Sequence, residues 1–491
     1  MIKILNTTTI IRKSHRFLHT PRDYSITPEQ LLFGSRFREW EHSDYGIDNN
    51  GLHSSVLSRN NVGLGFLILN SEYGCIEQNK LLYRRLRDLE VNIYKRYVVL
   101  TSMSRDTFNL GWDSMELLKL AESSHKTGDI DPKFKSHMIK LCDLIHLSTT
   151  YRKPLIIYAN GDTGGYAISL WSLANRAAAY KHSTLMVNNL DYGWIIDGGL
   201  SCILSLIRGS LGEYIALTGC RIKGSDLINI GLGNRWISPD AFSLMEHTSS
   251  TQLSVSEQDA KVLLEEHSLY YPEISKNSII NWESVINHHF SLKSVEEIVC
   301  SLKRGTPTDI IESAGKSVTQ VSNWERKTIS ILESRPPLAA KISLKLLRDA
   351  KRCKDMLMKE GDISPSLWNK LNNTRRICPT TTIEANQQLL RDTLVEELLI
   401  ECLNNELNAA QGYIMSLDIV ESIRAYITKN TKNYIEPKYK DCELKSMSNY
   451  ICWEPKERGW FSLSSIPQLK KLNPDYNNSS GLDHDPTSVN D

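Results

Sequence analysis

Residues 153–161 read KPLIIYANG and run on into DTGGYAISLWSLANRAAAY. The pattern is a buried strand ending in a Gly-rich turn that opens a helix. A helix start presents unpaired N–H groups and a partial positive charge. Such donors stabilise the oxyanion that forms when a carbonyl is attacked, which is the chemistry of acyl transfer. Strand–Gly–helix turns are common in α/β proteins, so this pattern alone names no reaction. Other reactive residue types say less. The ten cysteines form no C-x-x-C pair and most sit among apolar neighbours. They read as reduced thiols that mostly fill the core, not as a zinc ribbon or a disulfide framework. His288-His289 is the only histidine doublet and H-E-x-x-H is absent. No metal site is expected.

These residues need elements to hold them. Short apolar runs at 64–69, 97–101, 155–158 and 184–187 read as strands, with helical patterns at 77–91 and 165–180 between them. Strands alternating with helices predict an α/β fold with parallel, crossover-connected sheet. From about 200 onward the pattern is helical. Leu394, Leu398, Cys402 and Leu403 recur at helical spacing, flanked by Leu399 and Leu407. Residues 342–357 behave alike and follow Pro336-Pro337, a helix-start signal.

Composition narrows the class. The chain has 491 residues, 58 Lys+Arg against 57 Asp+Glu, 41% hydrophobic and 23% charged residues, and net charge +1. This is globular composition, not that of a disordered chain or a strongly basic nucleic-acid binder. No apolar run approaches the roughly 18–20 residues that span a bilayer, so membrane insertion is not expected. Residues 1–22 carry Lys3, Arg12, Lys13, Arg16 and Arg22 and no acid before Asp23, which is mitochondrial presequence composition. The tail from 473 is polar and turn-rich, and disorder is expected there.

The stretch 185–199, LMVNNLDYGWIIDGG, leads into RGSLGEYIALTGCRIKGSDLINIGLGNRWI at 208–237. It resembles the crotonase superfamily, and within it the 3-hydroxyisobutyryl-CoA hydrolase branch. Gly209, Leu211, Gly212, Ala216-Leu217-Thr218-Gly219, Lys223-Gly224, Asp226 and Gly231 fall on that branch's G-x-L-G…A-L-T-G…K-G-x-D…G motif. Ser294-Val295-Glu296-Glu297-Ile298 resembles its S-V-E-E-I segment, and Pro337…Lys341-Ile342-Ser343-Leu344 its P-x-x-x-K-I-T-L segment. Asp418…Glu421-Ser422-Ile423-Arg424-Ala425 resembles its D-F-x-E-G-V-R-A segment. The resemblance covers roughly 60–430. It implies a crotonase-like right-handed spiral of ββα units with a helical C-terminal region. The expected division is a presequence at 1–24, an extension at 25–60, a spiral core at 61–240, a helical part at 241–430 and an extension with a disordered tail at 431–491.

The resemblance also implies a thioester carbonyl held by two backbone N–H groups while carboxylates activate water. Several of those positions are altered here. The branch's P-E pair is Asn188-Asn189, and Asn189 cannot ionise to act as a base. The Asp of its P-D-x-G is kept as Asp197 in Ile196-Asp197-Gly198-Gly199. The helix-side donor run G-G-G is Gly165-Tyr166-Ala167, and a Tyr ring can occupy space that Gly leaves open. The A-G-G-D segment of the other donor is Leu110-Gly111-Trp112-Asp113. Asp162 enters a loop that is apolar in the family, either as a helix cap or opposing an oxyanion. The upstream carboxylate aligns approximately with Leu141. Leu110, Gly165 and Tyr166 are thus the degenerate oxyanion-hole positions and Asp197 the one retained carboxylate. Loss of a general base alone costs about 10² to 10⁴ in rate.

Three functions remain open. The first expectation is a catalytically degenerate relative in the mitochondrial matrix, built into the small subunit of the mitochondrial ribosome. Its partners would be ribosomal proteins and rRNA. Some mitochondrial ribosomes carry a protein of this branch, which is what the resemblance implies. A local basic patch at Lys429, Lys432, Lys438, Lys440 and Lys445 is compatible with that role, although such a run is more often a solvated face. The alternative is an active or divergent acyl-CoA thioester hydrolase of valine catabolism, with Asp197 its sole carboxylate. The third is a coenzyme A-binding regulator without turnover. No cofactor is expected; a coenzyme A thioester would be the ligand.

Overall fold

The computed structural model describes residues 55–60, 63–243, 272–359 and 383–429. The expected presequence, the expected disordered tail and the Lys432–Lys445 part of the basic patch lie outside them.

Among the described residues, ten strands form two sheets. The larger contains β1 (Val56–Asn60), β2 (Gly63–Leu69), β3 (Lys95–Ser102), β5 (Leu155–Tyr158), β7 (Arg176–Ala179) and β10 (Arg235–Trp236), in that order. β1 is antiparallel to β2, and every other neighbour pair is parallel. The smaller sheet has the order β4 (Thr107–Asn109), β6 (Asp162–Gly164), β8 (Thr184–Met186), β9 (Ile222–Lys223). The chain therefore lays a strand in the large sheet, then one in the small sheet, then a helix, and repeats. Buried apolar runs such as GLGFLIL in β2 fit a sheet covered on both faces. β1 lies in the stretch expected as an extension and is paired into the sheet.

The helices of the spiral are α1 (Ile76–Val91), α2 (Ser114–Thr127), α3 (Pro132–Thr149), α4 (Ala167–Ser172), α5 (Leu200–Leu206), α6 (Leu211–Thr218) and α7 (Ser225–Asn229). Then follow α8 (Glu283–Phe290), α9 (Val295–Arg304), α10 (Thr308–Ser313), α11 (Val318–Ser334), α12 (Pro337–Lys359), α13 (Ile383–Tyr413) and α14 (Leu417–Thr428). α12 and α13 pack on α5, and α14 on α2, so the helical region closes over the spiral.

The family-like motifs have structural reasons. Ser294 N-caps α9 by accepting from the Glu297 N–H at 3.2 Å. Glu296 of that motif pairs with Lys341 of the Pro337 motif at 2.6 Å. Gly219 ends α6 in the left-handed region with φ 63°, where glycine carries no Cβ penalty. Among the described residues, no helix is long and apolar enough to cross a membrane.

Two expectations need correction. The helical pattern at 165–180 resolves into the six-residue α4 and then strand β7. Asn175 breaks it: its Oδ1 accepts from the Leu155 N–H at 2.7 Å and its Nδ2 donates to Lys153 O at 3.0 Å. That pins Ala177–Ala179 beside β5, where tertiary pairing overrides alanine's helix propensity. The cysteines are also less uniformly internal than expected. Cys142, Cys202 and Cys402 are buried, but Cys300 is exposed, and Cys75, Cys220 and Cys353 are half-buried.

Candidate active site

Two glycine turns meet where the oxyanion hole was expected. Strand β4 leads into Leu110-Gly111-Trp112, and Asp113 then caps α2 by accepting from the Met115 N–H at 2.8 Å. Strand β6 leads through Gly165 into Tyr166 and α4. Gly111 and Gly165 have φ of 82° and 50°. A Cβ on Gly111 would lie 3.0 Å from the Gly165 Cα, so the turns pack backbone to backbone. The Leu110 N–H, however, donates to Glu72 O at 2.7 Å. Leu110 O accepts from Asn188 Nδ2 at 2.9 Å. The expected donor at Leu110 is already spent inside the protein.

Tyr166 lies in the space between these turns and the core, fully buried. Its hydroxyl accepts from Asn79 Nδ2 at 2.8 Å. A Cβ at Gly74 would overlap that hydroxyl, and one at Gly198 would come within 2.5 Å of the Tyr166 Cβ. Two glycines thus make room for the ring. Burial first, against the Asn79 hydrogen bond, pushes the phenol well up from its ordinary value, so it stays neutral.

Asp197 is fully buried. Its Oδ2 accepts from Trp112 Nε1 at 2.7 Å and Trp194 Nε1 at 2.9 Å. Its Oδ1 accepts from Asn189 Nδ2 at 3.1 Å, and that amide also donates to Ile195 O at 2.9 Å. Asn189, at the family's glutamate position, is therefore a donor to the retained carboxylate. A glutamate there would set two carboxylates against each other. Burial raises Asp197 to about 6, with the three donors pulling the other way. Its side chain neither faces solvent nor caps the helix that follows.

Aromatic rings close the cage. The Trp112 ring lies 4.4 Å from His137 and 6.2 Å from Trp194. Phe134 is 5.9 Å and Tyr413 5.8 Å from Trp194. His137 is fully buried; burial first, then Lys80, lowers it to about 3, so it packs as a neutral ring. Leu141, at the approximate position of the upstream carboxylate, is buried in the same core. Asp162 does not cap α4: both its oxygens accept from Arg221 Nη1 at 3.0 Å.

Sequence reasoning missed Glu406. This fully buried side chain of α13 caps α5 from outside. Its Oε2 accepts from the Gly199 N–H at 2.6 Å, and its Oε1 from the Ser201 N–H at 2.8 Å and Ser201 Oγ at 2.6 Å. Burial raises it to about 8, against those three donors and with Asp197 adding to the rise. A glutamate between Leu403 and Leu407 of an apolar stripe was the available signal.

The arrangement suits hydrogen-bond satisfaction more than hydrolysis. Water activation needs a base with a free lone pair facing water and a reachable carbonyl. Asp197 takes two indole donors on Oδ2 and one amide donor on Oδ1 and is fully buried, so it does not face bulk water.

Comparison with known proteins agrees with the fold. The sequence pattern described as enoyl-CoA hydratase/isomerase matches residues 76–372. The chain is 28% identical over 209 residues to a probable 3-hydroxyisobutyryl-CoA hydrolase 2 of Arabidopsis thaliana, covering 42% of this chain and 52% of the relative. It is 26% identical over 212 residues to small ribosomal subunit protein mS47 of the same plant, covering 43% and 49%. A relative named 3-hydroxyisobutyryl-CoA hydrolase, mitochondrial, from Danio rerio is 28% identical over 157 residues, covering 32% and 41%. The chain spans about half the length of the first curated relatives it matches. The crystal structure of a carnitinyl-CoA dehydratase from Mycobacterium thermoresistibile superposes with TM-score 0.59 at 18% identity, covering 83% of this chain and 98% of that one. That likeness extends to the fold. With the family pattern matched over more than half its length, the chain belongs to the enoyl-CoA hydratase/isomerase family.

Proposed function

We propose that this chain is a catalytically degenerate family member that serves as a structural component of the small subunit of the mitochondrial ribosome, in the matrix. The observation that carries the loss of catalysis is the capture of Asp197 by Trp112, Trp194 and Asn189 in a fully buried cage. The ribosomal role is supported by the relative named small ribosomal subunit protein mS47 and by the presequence-like first 22 residues. Ribosomal proteins and rRNA are then its partners. Tagged protein should co-sediment with small-subunit particles at low salt, and purified protein should leave 3-hydroxyisobutyryl-CoA intact. Sedimentation away from those particles would sink the proposal.

A second reading, an acyl-CoA thioester hydrolase, is favoured by one observation. Asp197 is raised to about 6, within the range of a working acid or base. It requires thioester turnover that collapses in Asp197→Asn. Saturable coenzyme A binding without turnover would instead mark a regulator.

A further inference from the structure

The parallel strands have two ends. The glycine turns and Tyr166 lie beyond the C-terminal ends of β3 and β5. At the N-terminal ends, α1 finishes at Val91 and the chain turns through Asn92–Tyr94 into β3. Arg152 and Lys153 lie beside this turn, ahead of β5. Val91, Ile93 and Tyr94 are 69%, 72% and 76% exposed. Three large apolar side chains within four residues face water, which marks a surface with a use.

Basic groups surround them. Some are committed to the fold. Lys153 Nζ donates to Leu89 O at 2.7 Å and Asn92 O at 2.6 Å, closing the C-terminal end of α1. Arg87 pairs with the buried Glu90 at 2.7 Å, and Glu90 also accepts the Arg152 N–H at 3.1 Å. Arg84, Arg96 and Arg152 are exposed, and none makes an ion pair among the described residues. Arg84 shares a helix face with Val91, seven residues on. Arg96 is near enough to Lys153 to disfavour its charge, after burial and against Glu90. Asp88 is the only exposed acid between Arg84 and Arg96.

A basic cavity of the helical region differs. It encloses about 500 Å³ between α9 and α12. Its Lys341, Lys345 and Lys351 are held by Glu296, Asp349 and Glu213 at 2.6, 3.0 and 2.5 Å. Those lysines are held by acids of the fold; among the described residues, Arg84, Arg96 and Arg152 are not.

We propose that this N-terminal end of the sheet binds single-stranded RNA, with a base stacked on Tyr94 and phosphates met by Arg84, Arg96 and Arg152. An exposed aromatic among unpaired arginines is the combination that holds an unstacked base and its backbone. A single-stranded nucleic acid supplies both groups in one repeating unit, a flat base for Tyr94 and a phosphate for each arginine. The choice of RNA over DNA rests on the ribosomal reading; the stacking platform itself does not.

The test uses the full chain and a fluorescein-labelled 12-nucleotide single-stranded RNA, read by polarisation from 50 to 200 mM salt. Tyr94→Ala should weaken binding about tenfold. Arg96→Gln with Arg152→Gln should lower the log–log salt slope by about 1.4, at roughly 0.7 per phosphate contact. Unchanged melting temperatures would show that both variants fold. Absent wild-type binding, or unchanged RNA binding in both variants, overturns the proposal. So does loss of particle association without loss of RNA affinity, which would mark a protein-docking surface. Tighter binding of the matching DNA overturns the choice of RNA. Retained RNA binding by a chain that never sediments with the small subunit would overturn the ribosomal reading and leave this surface standing.

Discussion

The two ends of the parallel strands in the large sheet invert each other. At the C-terminal end, Trp112, Trp194, Tyr166 and Phe134 are buried around one carboxylate. At the N-terminal end, Val91, Ile93 and Tyr94 stand in water among unpaired arginines. In an acyl-CoA enzyme the first end must admit a substrate. Here that end holds buried rings, and the exposed apolar side chains are at the other end. Gly111 and Gly165 pack against each other backbone to backbone as part of the fold. The space beside those turns is occupied by the Tyr166 side chain, for which Gly74 and Gly198 leave room. Scaffold and chemistry are separable within one site.

The sharpest way to break this comparison is to unseal the filled end. Trp112→Ala removes a buried ring and one of the two indole donors to Asp197 Oδ2. The expected loss is about 3–5 kcal/mol, as for other buried Phe or Trp truncations. Chemical unfolding would measure it. A loss below about 1 kcal/mol would mean that the cage is open to water and the site less filled than its geometry indicates.

A smaller effect tests Tyr166. Asn79→Ala strands a buried hydroxyl and should destabilise by roughly 1–3 kcal/mol. In a Tyr166→Phe background the same change should destabilise less, because no hydroxyl is left unpaired. A double-mutant cycle reads the coupling. If the two changes add without coupling, the Asn79–Tyr166 bond does not hold the ring in place.

How much of this was legible follows the same division. The strands at 64–69, 97–101 and 155–158 were readable because buried β-branched and apolar runs are local signals. Asn189 and Asp197 were readable as positions, because their spacing is fixed by the fold. Their contact was not, since nothing local says that an amide eight residues upstream donates to a carboxylate. The break after α4 was missed because Asn175 acts on Leu155 and Lys153, about twenty residues away in sequence. Glu406 was missed because its partners Gly199 and Ser201 lie on another helix more than two hundred residues earlier. Long-range hydrogen bonds are where a sequence pattern falls silent.

Glu406 gives the comparison a pH signature. Its folded pKa of about 8 lies above the ordinary 4.5, and that of Asp197, about 6, above 3.8. A raised folded value means that the stabilisation is complete below the unfolded pKa and lost as pH rises through the folded one. The chain should therefore melt lower at pH 9 than at pH 7, a window above the range in which unfolded histidines titrate. Glu406→Gln keeps an acceptor for the α5 N–H groups and should flatten that dependence by on the order of 2 °C. An identical slope in the variant would mean that the three donors keep Glu406 ionised throughout.

The smallest expected effect lies at the open end. Tyr94→Ala removes a ring that is 76% exposed, and Ile93→Ser a side chain that is 72% exposed. Neither should change stability by more than about 0.5 kcal/mol, as for surface positions outside the core. The contrast with Trp112→Ala is the point. If both ends were parts of one core, their truncations would differ little. A flat response at Tyr94 beside a steep one at Trp112 means that the apolar residues of the open end do nothing for folding. RNA affinity is then the readout in which Tyr94→Ala should stand out while its melting curve does not.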